Sequence, residues 1–207
     1  MIPAIVLAAG RSSRMGRAKA MLPLGERDTF LTRVVRTLHD AAVDDVVVVV
    51  GHDADAIIGA FGASGLAARF VINREYDRGQ LSSLVAGLAA VDRPGVIAVL
   101  VTLVDVPLVS ASTVRDVLDH YRRTRAPIVR PTSGARHGHP LLIDRSLFDP
   151  LRAADPQAGA KAVVRAHAST LGDLASNDEG AFLDIDTPEE YRQYVSTDND
   201  GSRAGPI

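Results

Sequence analysis

Apolar positions along this chain come in blocks. Short, almost uniformly apolar runs lie at 2–9, 46–50 and 96–104. Between them apolar residues recur at helical spacing, as Leu31, Val34, Val35 and Leu38 do. The five consecutive valines at 46–50 are too uniform for a strand with one wet face, and predict a parallel strand covered on both sides. The pattern predicts strands over 2–9, 46–50, 70–73 and 96–104, with helices over 29–38, 53–61 and 82–90 between them. That βαβαβαβ order implies right-handed crossovers, a mostly parallel sheet, and ligands at the carboxyl ends of its strands.

Beyond residue 105 the alternation is less regular. Ser110 or Ser112 caps a predicted helix running to about Arg123, strands begin at 127–129 and 140–143, and 146–151 and 158–166 read as helices. A last strand is predicted over 182–185. Thr187-Pro188-Glu189-Glu190 then opens a helix to about Val195, with threonine as cap, proline at the first position and acids in the first turn. The expectation is one domain over 1–195, followed by a disordered tail over 196–207, where Thr, Asp, Asn, Gly, Ser and Pro dominate.

Length and charge narrow the possibilities. A chain of 207 residues suffices for one well-buried core, and its formal charge of −2 gives no basic field for nucleic acid. Cysteine is absent, which excludes disulfides, thiolate catalysis and Cys-ligated zinc. The first apolar run is too short for a signal-peptide core, and no segment approaches a membrane span. A cytoplasmic protein without nucleic-acid or membrane partners is expected.

The candidate chemistry is concentrated after the first strand, in Leu7-Ala8-Ala9-Gly10-Arg11-Ser12-Ser13-Arg14-Met15-Gly16-Arg17-Ala18-Lys19. Small residues let a backbone approach a ligand and aim its N–H groups inward, while arginine and lysine supply charge for polyphosphate. The spacing fits neither GxxxxGK[ST] nor GxGxxG. The chain has only two lysines, Lys19 and Lys161, which singles out the one in this cradle.

Four further features stand out. Asp105, in Leu103-Val104-Asp105-Val106-Pro107, ends a buried strand where a carboxylate can hold Mg²⁺ on phosphate oxygens or serve as a turn residue. Alternation puts Asp184 and Asp186 on one strand face, where they could share a cation or cap the next helix. Ser82 and Ser83 open the helix after Arg78-Gly79-Gln80-Leu81, as caps or as contacts to a base or ribose, and Gly87 allows that helix to pack closely. Gly138-His139-Pro140, after Arg136-His137, reads as a substrate-binding loop rather than as a metal site lacking a third ligand.

Together, the stretch from Leu7 to Lys19, Asp105-Val106-Pro107, residues 79–88, Gly138-His139-Pro140 and Asp184 to Glu190 resemble the molybdenum-cofactor (MobA-like) nucleotidyltransferases. The run Leu-Ala-Ala-Gly-Arg-Ser-Ser-Arg-Met-Gly followed by lysine is most similar to the CTP-using branch, the molybdenum cofactor cytidylyltransferases; the GTP-using branch usually has Ala-Gly-Gly. The resemblance implies an α/β, Rossmann-like sheet sandwiched by helices, of the nucleotide-diphospho-sugar transferase type. It implies transfer of CMP from Mg-CTP to molybdopterin phosphate with release of pyrophosphate. Leu7, Ala8, Ala9, Gly10, Arg11, Ser12, Lys19 and Ser83 would then contact the nucleotide, with Lys19, Arg14 and Asp105 in the chemistry. Asp105 and Asp186 would hold Mg²⁺, and Gly138 and His139 would face the acceptor. A molybdoenzyme or another cofactor-delivery partner is the macromolecular partner implied.

The chain also departs from that family. Gly79-Gln80-Leu81-Ser82-Ser83-Leu84-Val85 stands where Gly-Met-Ser-Ser-Ser-Leu-Arg is common, and Asp155 to Lys161 replaces Gly-Asp-x-Gly-Ala-Arg with altered spacing. GTP or another NTP and a different phosphorylated acceptor are the alternative substrates. A Rossmann-like NAD(P)-dependent oxidoreductase and a non-catalytic nucleotide-binding module are the alternatives of other classes.

Overall fold

A computed structural model describes residues 1–195. The expected tail at 196–207 lies outside the described residues. In chain order the elements are β1 (Ala4–Ala8), the short β2 (Pro23–Leu24) and β3 (Asp28–Thr29), α1 (Phe30–Asp40), β4 (Val46–Val50), α2 (Ala54–Gly62), β5 (Arg69–Ile72), α3 (Gln80–Val91) and β6 (Ala98–Leu103). They continue with α4 (Ala111–Thr124), β7 (Ile128–Ser133), β8 (Arg136–His137), β9 (Leu141–Asp144), α5 (Phe148–Arg152), α6 (Gly159–His167), β10 (Asp173–Ala175) and α7 (Pro188–Val195).

The main sheet runs β10-β7-β9-β6-β1-β4-β5, with β8 paired to β7, while β2 and β3 form a separate ribbon. β1 lies in the middle, parallel to β4 and β6, and β4 is parallel to β5. Only β9 enters antiparallel, between β6 and β7, apart from the short β8 on β7. The valine run is β4, and all five of its residues are buried. Val46, Val48 and Val50 face a core built with α1 and α4; Val47 and Val49 face a second core with α3 and α5. Each strand thus supplies both layers, which is why it reads as continuously apolar.

Helix ends follow the local chemistry. Thr29 caps α1, accepting from the Thr32 N–H while Thr32 Oγ1 accepts from the Thr29 N–H. At α7, Thr187 Oγ1 accepts from the Glu190 N–H, and Glu190 Oε2 accepts from the N–H groups of Asp186 and Thr187 at 2.8 and 2.9 Å. Gly87 lets α3 lie against the sheet, because a Cβ there would stand 2.7 Å from Ile5 Cγ2.

Several expectations are corrected. Residues 182–185 do not form a strand: a 3₁₀ turn spans Glu179–Phe182, and of the following segment Ile185 N–H reaches the Asp105 carbonyl at 2.8 Å. The segment lies at the end of β6, whose two sides are already paired with β1 and β9, so it joins no ladder there. The edge strand is instead β10, parallel to β7. The apolar run at 96–104 is a strand only over β6, and 146–151 divides into a 3₁₀ turn at Arg145–Leu147 and the short α5. Ser82 and Ser83 do not cap α3. Ser82 Oγ donates to the Gly79 carbonyl at 2.8 Å, and both hydroxyls accept from Asn73 Nδ2.

Candidate active site

The loops after β1, β5 and β6 emerge at one end of the parallel strands, as such a sheet requires of its ligand crevice. The turn from β8 into β9 reaches the same end because β9 runs antiparallel to β6. A cleft of about 370 Å³ opens there, lined by Leu7, Ala8, Ala9, Gly10, Ser12, Arg14 and Lys19 from the first loop, Tyr76, Gln80 and Ser83 around the start of α3, and Asp105 and Asp186. All of the residues expected in the nucleotide and metal site except Arg11 line it.

Lys19 is the centre of the charge network. Its side chain is 11% exposed, and its ammonium donates to Asp105 Oδ2 at 3.0 Å and to Asp186 Oδ1. Arg14 Nη2 donates to Asp186 Oδ2 at 3.0 Å from the exposed rim. The Lys19 hydrogen bond, with Arg14 and the charge of both cations, holds the Asp186 carboxyl below the usual carboxylate range despite partial burial. The cradle is closed on itself by the Lys19 N–H, which donates to Ser12 Oγ at 3.1 Å.

The two aspartates, one at the middle of the chain and one near the end of the described residues, arrive on braced loops. Asp178 Oδ2 accepts from the Ser110 N–H at 2.9 Å, Ser110 Oγ at 2.8 Å and Thr113 Oγ1 at 2.6 Å, while Oδ1 accepts from the Gly180 N–H. This ties the segment leading to Asp186 onto the loop that follows Asp105. Burial pushes the Asp178 carboxyl up, but these hydrogen bonds prevail and leave it below its ordinary value. The unfolded chain therefore binds the proton more readily, so this stabilisation is present above the ordinary carboxylate range and is lost as pH falls through the lowered folded value. Asp178→Ala is expected to remove about 1–3 kcal/mol at neutral pH and less in acid, read from urea denaturation at both pH values.

Asp184 has a different environment from Asp186. Lys19 pairs with Asp186, whereas burial, followed by repulsion from Asp105, pushes the Asp184 carboxyl up. Asp105 Oδ1 is buried and accepts no hydrogen bond, leaving a carboxylate oxygen with free lone pairs. Asp105 with this open oxygen, and Asp186 once Lys19 or Arg14 releases one of its oxygens, fit a hard divalent cation that completes its shell from substrate phosphates and water. Among the described residues, no three His, Asp or Glu side chains group to hold a metal by themselves.

Arg11 is placed elsewhere. It forms a bidentate pair with Asp77, Nε to Oδ1 at 2.9 Å and Nη2 to Oδ2 at 2.8 Å, and its guanidinium lies 5.8 Å from the Tyr76 ring centre. It braces the cradle against the turn before α3 at the solvent rim and does not line the cleft.

Gly138 and His139 line a second chamber of about 260 Å³, which shares Leu7, Gln80 and Leu103 with the cleft. Gly138 lies so close to the Ala181 carbonyl that a Cβ would meet it. Burial lowers the His139 imidazole below its usual range, against the pull of Asp184 and the Val101 carbonyl. Arg130, Lys161 and Arg165 also line this chamber. Sequence reasoning missed all three as site residues, although the departure at Asp155 to Lys161 pointed to the segment.

A family profile described as the MobA-like NTP transferase domain matches residues 4–171. The chain belongs to the MobA-like NTP transferase family. It is 32% identical over 204 residues to a molybdenum cofactor guanylyltransferase of Rhizobium meliloti, covering 92% of this chain and 89% of that protein. It is also 32% identical over 199 residues to a nicotine blue oxidoreductase of Paenarthrobacter nicotinovorans, covering 92% and 95% of the two chains. Among solved structures, the Rv0371c protein of Mycobacterium tuberculosis in complex with manganese superposes with a TM-score of 0.74 at 28% identity, over 95% of this chain and 98% of that one. A nucleotidyl transferase from Methanothermobacter superposes with a TM-score of 0.77 at 25% identity, over 95% and 97%. The fold is thus that of the nucleotide-diphospho-sugar transferases, as the resemblance implied, with the mostly parallel α/β sheet that the apolar pattern predicted.

Proposed function

We propose that this MobA-like protein transfers a nucleoside monophosphate from an NTP to a phosphorylated acceptor, releasing pyrophosphate. The observation that carries the reading is the joining of Lys19, Asp105 and Asp186 in one network at the mouth of a small-residue cradle. An oxygen of the acceptor phosphate forms a bond to the α-phosphorus, the bond from that phosphorus to the α–β bridging oxygen breaks, and pyrophosphate leaves with the electron pair. The acceptor phosphate is already anionic, so no protein nucleophile or base is needed, and rate comes from positioning and charge neutralisation.

Each residue has a place in that chemistry. The backbone of Ala8, Ala9 and Gly10 approaches the nucleotide, and Lys19 and Arg14 turn from their aspartates to the triphosphate. Ser83 and Gln80 line the part of the cleft beside the start of α3, and Gly138 and His139 face the acceptor. Asp105 and Asp186 would hold Mg²⁺, which would neutralise phosphate charge. CTP is the proposed donor, on Ala8-Ala9-Gly10, and molybdopterin the first acceptor to test.

A second reading, NAD(P)-dependent oxidoreduction, is favoured by the near full-length similarity to nicotine blue oxidoreductase. Pyrophosphate release from each of four NTPs with Mg²⁺, with and without molybdopterin and a panel of sugar and alcohol phosphates, separates the two. Acceptor-dependent release, greatest with CTP, is expected. Consumption of NAD(P)H with no NTP consumed would transfer the assignment to the second reading.

A further inference from the structure

The chamber beside the nucleotide cleft has a chemistry of its own. Leu84, Val101, Ile143 and Val164 give it apolar walls. Lys161 and Arg165 sit at i and i+4 on α6, so they share a face one turn apart, and both border the chamber. Arg130 is already neutralised by Asp173, with Nε to Oδ1 at 2.8 Å, whereas neither Lys161 nor Arg165 is in an ion pair among the described residues. Both lysines of the chain therefore line adjoining cavities, one paired with aspartates in the cleft and one without an acidic partner.

We infer that this chamber binds an acceptor with a largely apolar body and two anionic ends: the phosphate that reacts, lying toward the shared wall at Leu7, Gln80 and Leu103, and a second carboxylate or phosphate held by Lys161 and Arg165. The inference rests on the nucleotidyl-transfer reading for the word acceptor, but the ligand class follows from the chamber. Between its polar groups at Gln80, His137, His139 and the cations, the walls are aliphatic, so a hydrocarbon or aromatic body gains from leaving water there, while a polyhydroxylated body must leave those of its hydroxyls that face Leu84, Val101, Ile143 and Val164 unpaired. The two cations at the border meet a charge that the reacting phosphate does not supply, because that phosphate must lie beside the nucleotide.

The test is calorimetric binding to the full-length protein without nucleotide. Probes are 4-carboxyphenyl phosphate and 5-carboxypentyl phosphate, with phenyl phosphate and pentyl phosphate as the same bodies lacking the second anion, and ribose 5-phosphate as a polar body. At least one carboxylated probe is expected to bind about tenfold tighter than its parent, the scale of a hydrogen bond to a charged group, and ribose 5-phosphate more weakly than either parent. Lys161→Ala and Arg165→Ala each remove most of that increment, while Lys161→Arg retains it. The exposed position of both residues on α6 allows folding of the variants to be checked by circular dichroism. Equal binding of ribose 5-phosphate, survival of the increment in both alanine variants, or binding of none of the probes would overturn the assignment. Pyrophosphate release is assayed separately. Lys161-dependent binding in a protein that consumes no NTP would support the chamber's ligand class and remove nucleotidyl transfer.

Discussion

Lys19→Ala is expected to slow pyrophosphate release by about 10²-fold or more, the size of losing a charge contact to a transition state. The ammonium sits within reach of two carboxylates at the end of the cradle, where in the proposed reaction charge would move from the α-phosphate to the departing pyrophosphate. A compact ammonium on a flexible stem follows such movement better than a planar guanidinium, so Lys19→Arg restores only part of the rate. The same variant carries a second signature. Lys19 pairs with both carboxylates proposed to hold metal, so it occupies their shared side until phosphate draws it away. Nucleotide-free Lys19→Ala is therefore expected to bind Mn²⁺ more tightly than the parent, read by electron paramagnetic resonance of the free ion. Near-normal turnover would remove Lys19 from the mechanism, and unchanged Mn²⁺ binding would remove the placeholder role.

Asp105→Ala is the counterpart, with a loss of turnover again of about 10²-fold or more. Its Oδ2 is held by Lys19, and its buried Oδ1 has no donor, so one oxygen is engaged by the lysine and the other is left for the proposed cation. Asp105→Asn keeps the size and removes the charge. It is expected to lose metal-dependent rate nearly as fully as alanine, and to shift the Mg²⁺ dependence to higher concentration before turnover falls. A variant that keeps both rate and Mg²⁺ dependence would make Asp105 a turn residue and nothing more. The two substitutions share one network, so their effects are expected to be less than additive in the double variant.

Much of the architecture was legible because its signals are local. Five buried valines can serve only a strand covered twice, and Thr187 with Pro188 and Glu190 specifies a helix start through its own hydrogen bonds. Asp105 was readable from its place at the end of an apolar run. What failed depended on distant partners. Residues 182–185 carry strand-like alternation, but no ladder position beside β6 was open, and that competition is invisible in the segment itself. Arg11 belongs to a basic loop, yet Asp77 on another loop captures it at the rim. Arg130 on β7 and Lys161 and Arg165 on α6 converge only after β9 inserts antiparallel between β6 and β7, so no spacing in the sequence announces their chamber. One wall of the cleft comes from a single contiguous stretch, Leu7 to Lys19, whereas the chamber beside it is assembled from α3, β6, β7, β9 and α6, and for that reason the sequence spoke more fully about the proposed donor side than about the proposed acceptor side.

The proposed reaction moves one phosphorus atom between two oxygens. Phosphorus NMR of the protein with Mg²⁺, CTP and a productive acceptor phosphate follows it directly. The account predicts that the α-phosphorus resonance of the triphosphate gives way to a new phosphoanhydride coupled to the acceptor phosphorus, with free pyrophosphate appearing in equal amount and both changes suppressed in Lys19→Ala. Conversion of the triphosphate to CDP and orthophosphate, or acceptor phosphate left uncoupled while pyrophosphate accumulates, would contradict it.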